Sequence, residues 1–167
     1  MTELDPLHDT LAALIRLGLA ALIGAIIGLN RELHHKPAGL RTHALVSLSA
    51  ALAIYLSLDF AESSRAANDA SLTRVVQGVL TGIGFLGAGV IFREDQGKTI
   101  KGLTTAASIW VTACLGMACG AARWSAVAVG LVITLAVLVF GGPIEKDLRR
   151  RLFGQEEKTS GDLSELD

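Results

Sequence analysis

Apolar residues fall in five long blocks separated by short charged stretches. The blocks run about Leu11 to Leu29, Thr42 to Leu58, Val75 to Phe92, Leu103 to Cys119 and Trp124 to Phe140. None carries the polar face at helical spacing that a water-soluble amphipathic helix presents. The third block has 18 residues and no formal charge. As a helix it is roughly 27 Å long, close to the hydrocarbon thickness of a bilayer. The pattern predicts an all-α membrane protein with five transmembrane helices. Residues 1–10 form a short acidic tail, 11–142 the five-helix domain, and 143–167 a basic and then acidic tail.

The third block carries Gly78, Gly82, Gly84, Gly87 and Gly89. In water each glycine would weaken a helix by nearly 1 kcal/mol. In lipid, small side chains let helix backbones approach closely. Gly78, Gly82, Gly84, Phe85, Gly87, Gly89 and the facing Trp110 are therefore expected to pack helix on helix. If blocks three and four form an antiparallel hairpin, Gly84 lies level with Val111, Gly87 with Ser108, and Phe85 with Trp110. Thr105, Ser108 and Thr112 share one stripe of the fourth helix. Their hydroxyls can bond their own helix or reach the backbone of the glycine helix. The sharper alternative is a pore or ligand groove lined by Gln77, Thr81 and that stripe.

The chain has 167 residues, 51% of them hydrophobic, and a formal net charge of -1, with a mean hydropathy of +0.50. The total charge says nothing of nucleic acid, and no nucleic-acid partner is expected. Its placement says more. Eleven of the 15 Lys and Arg residues fall in 30–43, 93–101 and the last stretch, against four elsewhere. Basic loops stay cytoplasmic. This predicts an amino terminus outside and a carboxyl terminus inside. The acidic start is unlike the basic start of a signal peptide. Arg16 lies near a span end and can snorkel to the headgroups. Cys114 and Cys119 sit five residues apart on one helix, which forbids a bridge between them. They read as packing residues.

Candidate chemistry gathers at the inner face. Arg31, Glu32 and Arg41 lie there, with Glu94 and Asp95 on the neighbouring turn. Such a cluster is either a solvated, topology-setting surface or a site for an ion, a lipid headgroup or a partner. His34, His35 and His43 lack the four-ligand pattern of a structural zinc site, so any metal is left unassigned. GIGFLGAG lacks the Lys-Ser/Thr ending of a phosphate loop and the strand before a dinucleotide fingerprint. No nucleophile–base pair appears, so neither an enzyme nor a cofactor is expected. All 16 acidic residues lie at or beyond the span ends. Cation paths usually place ionisable groups within the membrane, so a transporter ranks below a regulator, although carbonyl-lined paths need no carboxylate.

Two segments resemble a known family. GLNRELHHKPAGLRTHALVSLSA is similar to the motif that joins the first two spans of MgtC/SapB proteins. RVVQGVLTGIGFLGAGVIF, followed by IKGLTTAASIWVTACLGMACG, resembles that family's central block. The likeness covers nearly all of residues 11–140. It implies a bacterial inner-membrane protein linked to growth at low magnesium. In some members it implies a role in intracellular survival and in restraint of the F-type ATP synthase. Magnesium transport is also attached to the family name. The resemblance favours Arg31, Glu32, Arg41 and Thr42 as a family motif, and GLTTAA adds Thr104 to Thr105 and Ser108 as candidate binding residues. Many members carry a ferredoxin-like cytosolic domain after the last span, for which the roughly 25 residues here are too few. Asn30 stands beside Arg31-Glu32 where members often have a further acidic residue. The expected partners are the bilayer and another integral membrane protein, by resemblance the proton sector of the ATP synthase. Small-residue faces would serve a homodimer or packing within the chain equally well.

Overall fold

The computed structural model describes residues 6–63, 69–94 and 99–153. Five helices account for nearly all of them: α1 (Pro6–Leu33), α2 (Leu40–Ser63), α3 (Asp69–Val90), α4 (Leu103–Gly120) and α5 (Trp124–Phe153). Each is long and apolar enough to cross a membrane. Large apolar side chains such as Leu14, Leu22, Leu45, Phe85 and Val132 are exposed along them, as a protein solvated by lipid requires. The chain is an all-α, multi-pass membrane protein.

Two elements differ from the apolar pattern. The third helix stops at Val90, and a two-stranded antiparallel ribbon follows, β1 (Phe92–Glu94) and β2 (Thr99–Lys101). Phe92 pairs with Lys101, Arg93 with Ile100 and Glu94 with Thr99. Gly102 closes the ribbon at φ 91, where an added Cβ would collide with the Val90 carbonyl. Only glycine fits that turn. The last helix continues through Gly141-Gly142-Pro143 to Phe153 instead of ending there. A helical proline forgoes one N–H bond and crowds the preceding turn. Beyond it, Glu145, Lys146, Leu148 and three arginines are good helix formers and keep the helix going.

The ends of α1 and α4 share a device that composition hides. The Lys36 N–H reaches the Arg31 carbonyl at 3.0 Å and the His35 N–H the Glu32 carbonyl at 3.0 Å. The Arg123 and Ala122 N–H groups make the same pair of bonds, to the Ala118 and Cys119 carbonyls, both at 2.9 Å. Both are Schellman caps. His35 (φ 51) and Ala122 (φ 54) hold the left-handed position usually given to glycine.

The chain divides into two compact units, Met1–Leu131 and Val132–Asp167. In the first, α2 is the centre: it packs on α1, α4 and α3, while α1 also meets α4 and α3 also meets α4. Glycines set the closest approaches. A Cβ at Gly28 would sit 2.6 Å from the Leu40 Cα. One at Gly24, Gly116 or Gly120 would collide with the backbone carbonyl of His43, Ser47 or Ala51 respectively. So α1 and α4 both press bare glycine faces onto the backbone of α2. Val46, Ala50, Ile83, Ile109 and Ala113 form the apolar core. In the second unit, Ile133, Val137, Ile144, Leu148 and Leu152 are exposed along one helix.

Within the first unit the surroundings of the third helix differ from the packing expected of it. A Cβ at Gly78, Gly82, Gly84 or Gly89 would meet nothing within 4 Å. Phe85 is 82% exposed. Among the described residues of the first unit, these positions do not pack against another helix. Gly87 does: its added Cβ would lie 3.7 Å from Ala106 and 3.8 Å from Trp110, consistent with the expected antiparallel register. The reason is geometric. α3 rests on α4 and α2 through Val79, Ile83, Gly87 and Val90, which recur at three- and four-residue spacing. Gly78, Gly82, Gly84, Phe85 and Gly89 occupy the other sides of the helix.

Candidate functional site

Three helices bring polar side chains together inside the first unit. α1 supplies Arg31, α2 supplies His43 and Ser47, and α4 supplies Thr105, Ser108 and Thr112. All six are buried, and Arg31 is only 5% exposed. The α4 residues lie on the stripe expected from their spacing. The stripe faces α1 and α2, however, and not the glycine helix. Arg31 Nη2 donates to Thr105 Oγ1 at 2.9 Å. His43 sits at the centre with no exposed surface. Its Nδ1 lies 3.0 Å from the Gly39 carbonyl, and its Nε2 lies 3.1 Å from Ser108 Oγ.

The chemistry of this cluster follows from its acceptors. A carbonyl can only accept, so Nδ1 carries the proton and donates to Gly39. In the neutral ring Nε2 is then an acceptor for the Ser108 hydroxyl. That hydroxyl also lies 2.8 Å from the Thr105 carbonyl, so one proton has two acceptors to choose from. Thr112 Oγ1 donates to the Ser108 carbonyl at 2.8 Å. Two buried donors remain without a partner among the described residues: Arg31 Nε and Ser47 Oγ. Buried polar groups are rarely left so.

The other sequence candidates lie elsewhere. Glu32 Oε2 accepts the Leu40 N–H at 3.0 Å. It caps α2 from the end of α1. Arg41, Thr42 and Thr104 are exposed. Gln77 and Thr81 are exposed on α3, where Thr81 Oγ1 donates to the Gln77 carbonyl at 2.8 Å. They do not join the Thr105, Ser108 and Thr112 stripe, so no groove forms from the two sets together. Asp95 lies outside the described residues. The histidines do not converge: His34 bonds the Asn30 carbonyl at 2.7 Å, and His43 is buried as described. Among the described residues no group of three His, Cys, Asp or Glu side chains could hold a metal.

A second feature lies between α2 and α3. There Val46, Ala50, Gly78, Gly82, Ile83 and Leu86 line an apolar groove of about 380 Å³. The missing side chains of Gly78 and Gly82 open it. At the opposite end of the unit from Arg31, Arg16 Nη1 donates to the Gly120 carbonyl at 3.2 Å. Its guanidinium lies 5.7 Å from the centre of the Tyr55 ring. A cation at a helix C-terminus and over an aromatic face is favourable on both counts. Arg16 thus ties α1, α2 and α4 together.

The MgtC family model matches residues 17–147. The chain belongs to the MgtC family. SrpB of Synechococcus elongatus (strain ATCC 33912 / PCC 7942 / FACHB-805) is 42% identical over 139 residues, which is 80% of this chain and 76% of SrpB. MgtC of Brucella abortus (strain 2308) is 43% identical over 132 residues, 79% of this chain but 51% of that protein. YhiD of Escherichia coli (strain K12), named provisionally as a magnesium transporter, is 43% identical over 129 residues, 75% of this chain and 58% of YhiD. The chain therefore spans about half the length of the Brucella MgtC it matches. No solved structure matches it. The match of residues 17–147 takes in the buried Arg31–His43–Ser108 cluster, the α2–α3 groove and the glycine-rich α3.

Sequence reasoning found Arg31, Thr105 and Ser108, but not that His43 joins them. Its i+4 neighbour Ser47 and the α4 stripe were the available signal. Gly116-x-x-x-Gly120 has the same spacing as Gly78-x-x-x-Gly82 and makes close backbone contacts.

Proposed function

We propose that this MgtC-family chain is a regulator in a bacterial inner (plasma) membrane that acts by binding another integral membrane protein along α3. One contrast carries the reading. Gly24, Gly28, Gly116 and Gly120 are spent on contacts inside the chain, whereas Gly78, Gly82, Gly84 and Gly89 meet nothing in the first unit among the described residues. Glycine costs helix stability, and in lipid its return is close helix packing. Gln77 and Thr81 on the same helix supply the polar groups that hold membrane helices together. On this reading the partner is a transmembrane helix, with the ATP synthase proton sector as the named candidate, and the protein is not an enzyme.

The second reading is magnesium or cation transport, favoured by the name given to YhiD. The buried ionisable groups of the bundle weigh against it. Among the described residues they are Arg31, His43 and the Cys119 thiol, with no carboxylate among them, and magnesium sites use carboxylates and carbonyls.

A photoreactive residue at Phe85 should cross-link one defined membrane protein in cells. Gly82→Leu should abolish that product while the purified protein keeps its fold, because nothing lies within 4 Å of the added Cβ. A cross-link only to a second copy of the chain would make α3 a dimer face instead. Magnesium flux into proteoliposomes above that of empty vesicles would favour transport.

A further inference from the structure

We propose that Arg31 and the first turn of α4 together form a binding site for a phosphate-type oxyanion. The observations are independent of those behind the docking face on α3. Arg31 is 5% exposed. Among the described residues its guanidinium bonds a neutral hydroxyl, Thr105 Oγ1, and its Nε–H has no partner. Among the described side chains no carboxylate is seen to neutralise it there. The nearest in sequence, Glu32, is turned onto the Leu40 N–H. A buried guanidinium without a counter-charge is costly, and such charges are normally paired.

What Arg31 touches makes the imbalance larger. Thr105 is the third residue of α4 (Leu103–Gly120). The guanidinium therefore lies against a helix N-terminus, which carries partial positive charge and N–H groups lacking a helical acceptor. That end has Gly102 at its N-cap and no side-chain cap. Two positive features converge, and among the described side chains nothing negative is seen to meet them. Helix N-termini bind phosphate and sulfate for this reason, and the planar arginine fork matches the spacing of oxyanion oxygens. Leu103 and Thr104 are exposed, so the turn is open on its outer side. One oxygen would take the Arg31 Nε–H and others the first N–H groups of α4. Because α4 begins at a span end, a lipid headgroup phosphate and a free phosphate ion both reach this depth. They share the chemistry that the site recognises.

The test uses the full chain. In neutral detergent, inorganic phosphate is titrated against chloride at equal ionic strength, and the unfolding midpoint is followed. In parallel the protein is placed in nanodiscs of phosphatidylglycerol or of phosphatidylcholine. Saturable stabilisation of about 5 °C is expected for a ligand that binds only the folded state. A rise with inorganic phosphate identifies the free ion, and a rise with phosphatidylglycerol alone identifies the headgroup. Thr104→Glu places a carboxylate in the open first turn. It should raise the starting midpoint and remove the response in both arms. Arg31→Gln should remove the response as well; where that variant does not fold, Thr104→Glu decides. No response in either arm, or an undiminished response in Thr104→Glu, overturns the site.

Discussion

Gly116 and Gly84 are the same residue in opposite surroundings. A Cβ at Gly116 would run into the Ser47 carbonyl, while one at Gly84 would meet nothing within 4 Å. Backbone cannot move aside as a flexible side chain can. Gly116→Ala should therefore cost about 3 kcal/mol, at the upper end of overpacking penalties. Gly84→Leu should leave the thermal midpoint within about 2 °C of the parent, since surface changes are usually small. Thermal unfolding of the two purified variants reads the difference. The helix caps give a second expectation. His35 and Ala122 hold φ values of 51 and 54, which cost a non-glycine residue about 1 kcal/mol or more. His35→Gly and Ala122→Gly should each raise the midpoint by about 2–4 °C. An unchanged or lower midpoint would mean that those side chains make compensating contacts. Neither cap was legible in the sequence, because the residue that usually announces such a turn is absent from it. Arg31 was legible as a charge near a span end. Its burial was not, because burial depends on where α4 begins in space.

Among the helices, α3 departs furthest from what its composition suggests. Its glycine spacing announced close packing, and the spacing is real. Which face meets the rest of the chain was decided by Val79, Ile83 and Val90. The Gly116-x-x-x-Gly120 face of α4, equally visible in sequence, does pack tightly. Periodicity locates a face but does not say what stands opposite it. The junction of α1 and α2 is different in kind. Pro37 and Gly39 marked the break, and Glu32 secures it through the Leu40 N–H at 3.0 Å. Removing a capping acceptor costs about 1 kcal/mol. Glu32→Ala should lower the midpoint by about 2–4 °C, while Glu32→Gln, which keeps an oxygen, should recover part of the loss. A Glu32→Ala variant as stable as the parent would show that water replaces the carboxylate without cost.

The distribution of Lys and Arg makes a statement about the molecule as a whole. Basic loops remain on the cytoplasmic side. Residues 30–43 carry Arg31, Lys36 and Arg41 and should lie there. In a chain with Cys114→Ala and Cys119→Ala, a His35→Cys substitution should react with a membrane-impermeant thiol reagent only after the cells are opened. Labelling in intact cells would reverse the topology. The protein's membrane character and its five helices were determined by sequence alone, because hydrophobic length is a local property that any bilayer reads in the same way. The assembly of Arg31, His43 and Ser108, which lie 12 and 65 residues apart, was decided only in three dimensions, as was the side of α3 that the first unit leaves uncovered. In lipid every outward face is apolar, so hydropathy no longer separates inside from outside. Steric fit between bare backbones takes over that role, and fit belongs to pairs of helices, not to any one stretch of chain.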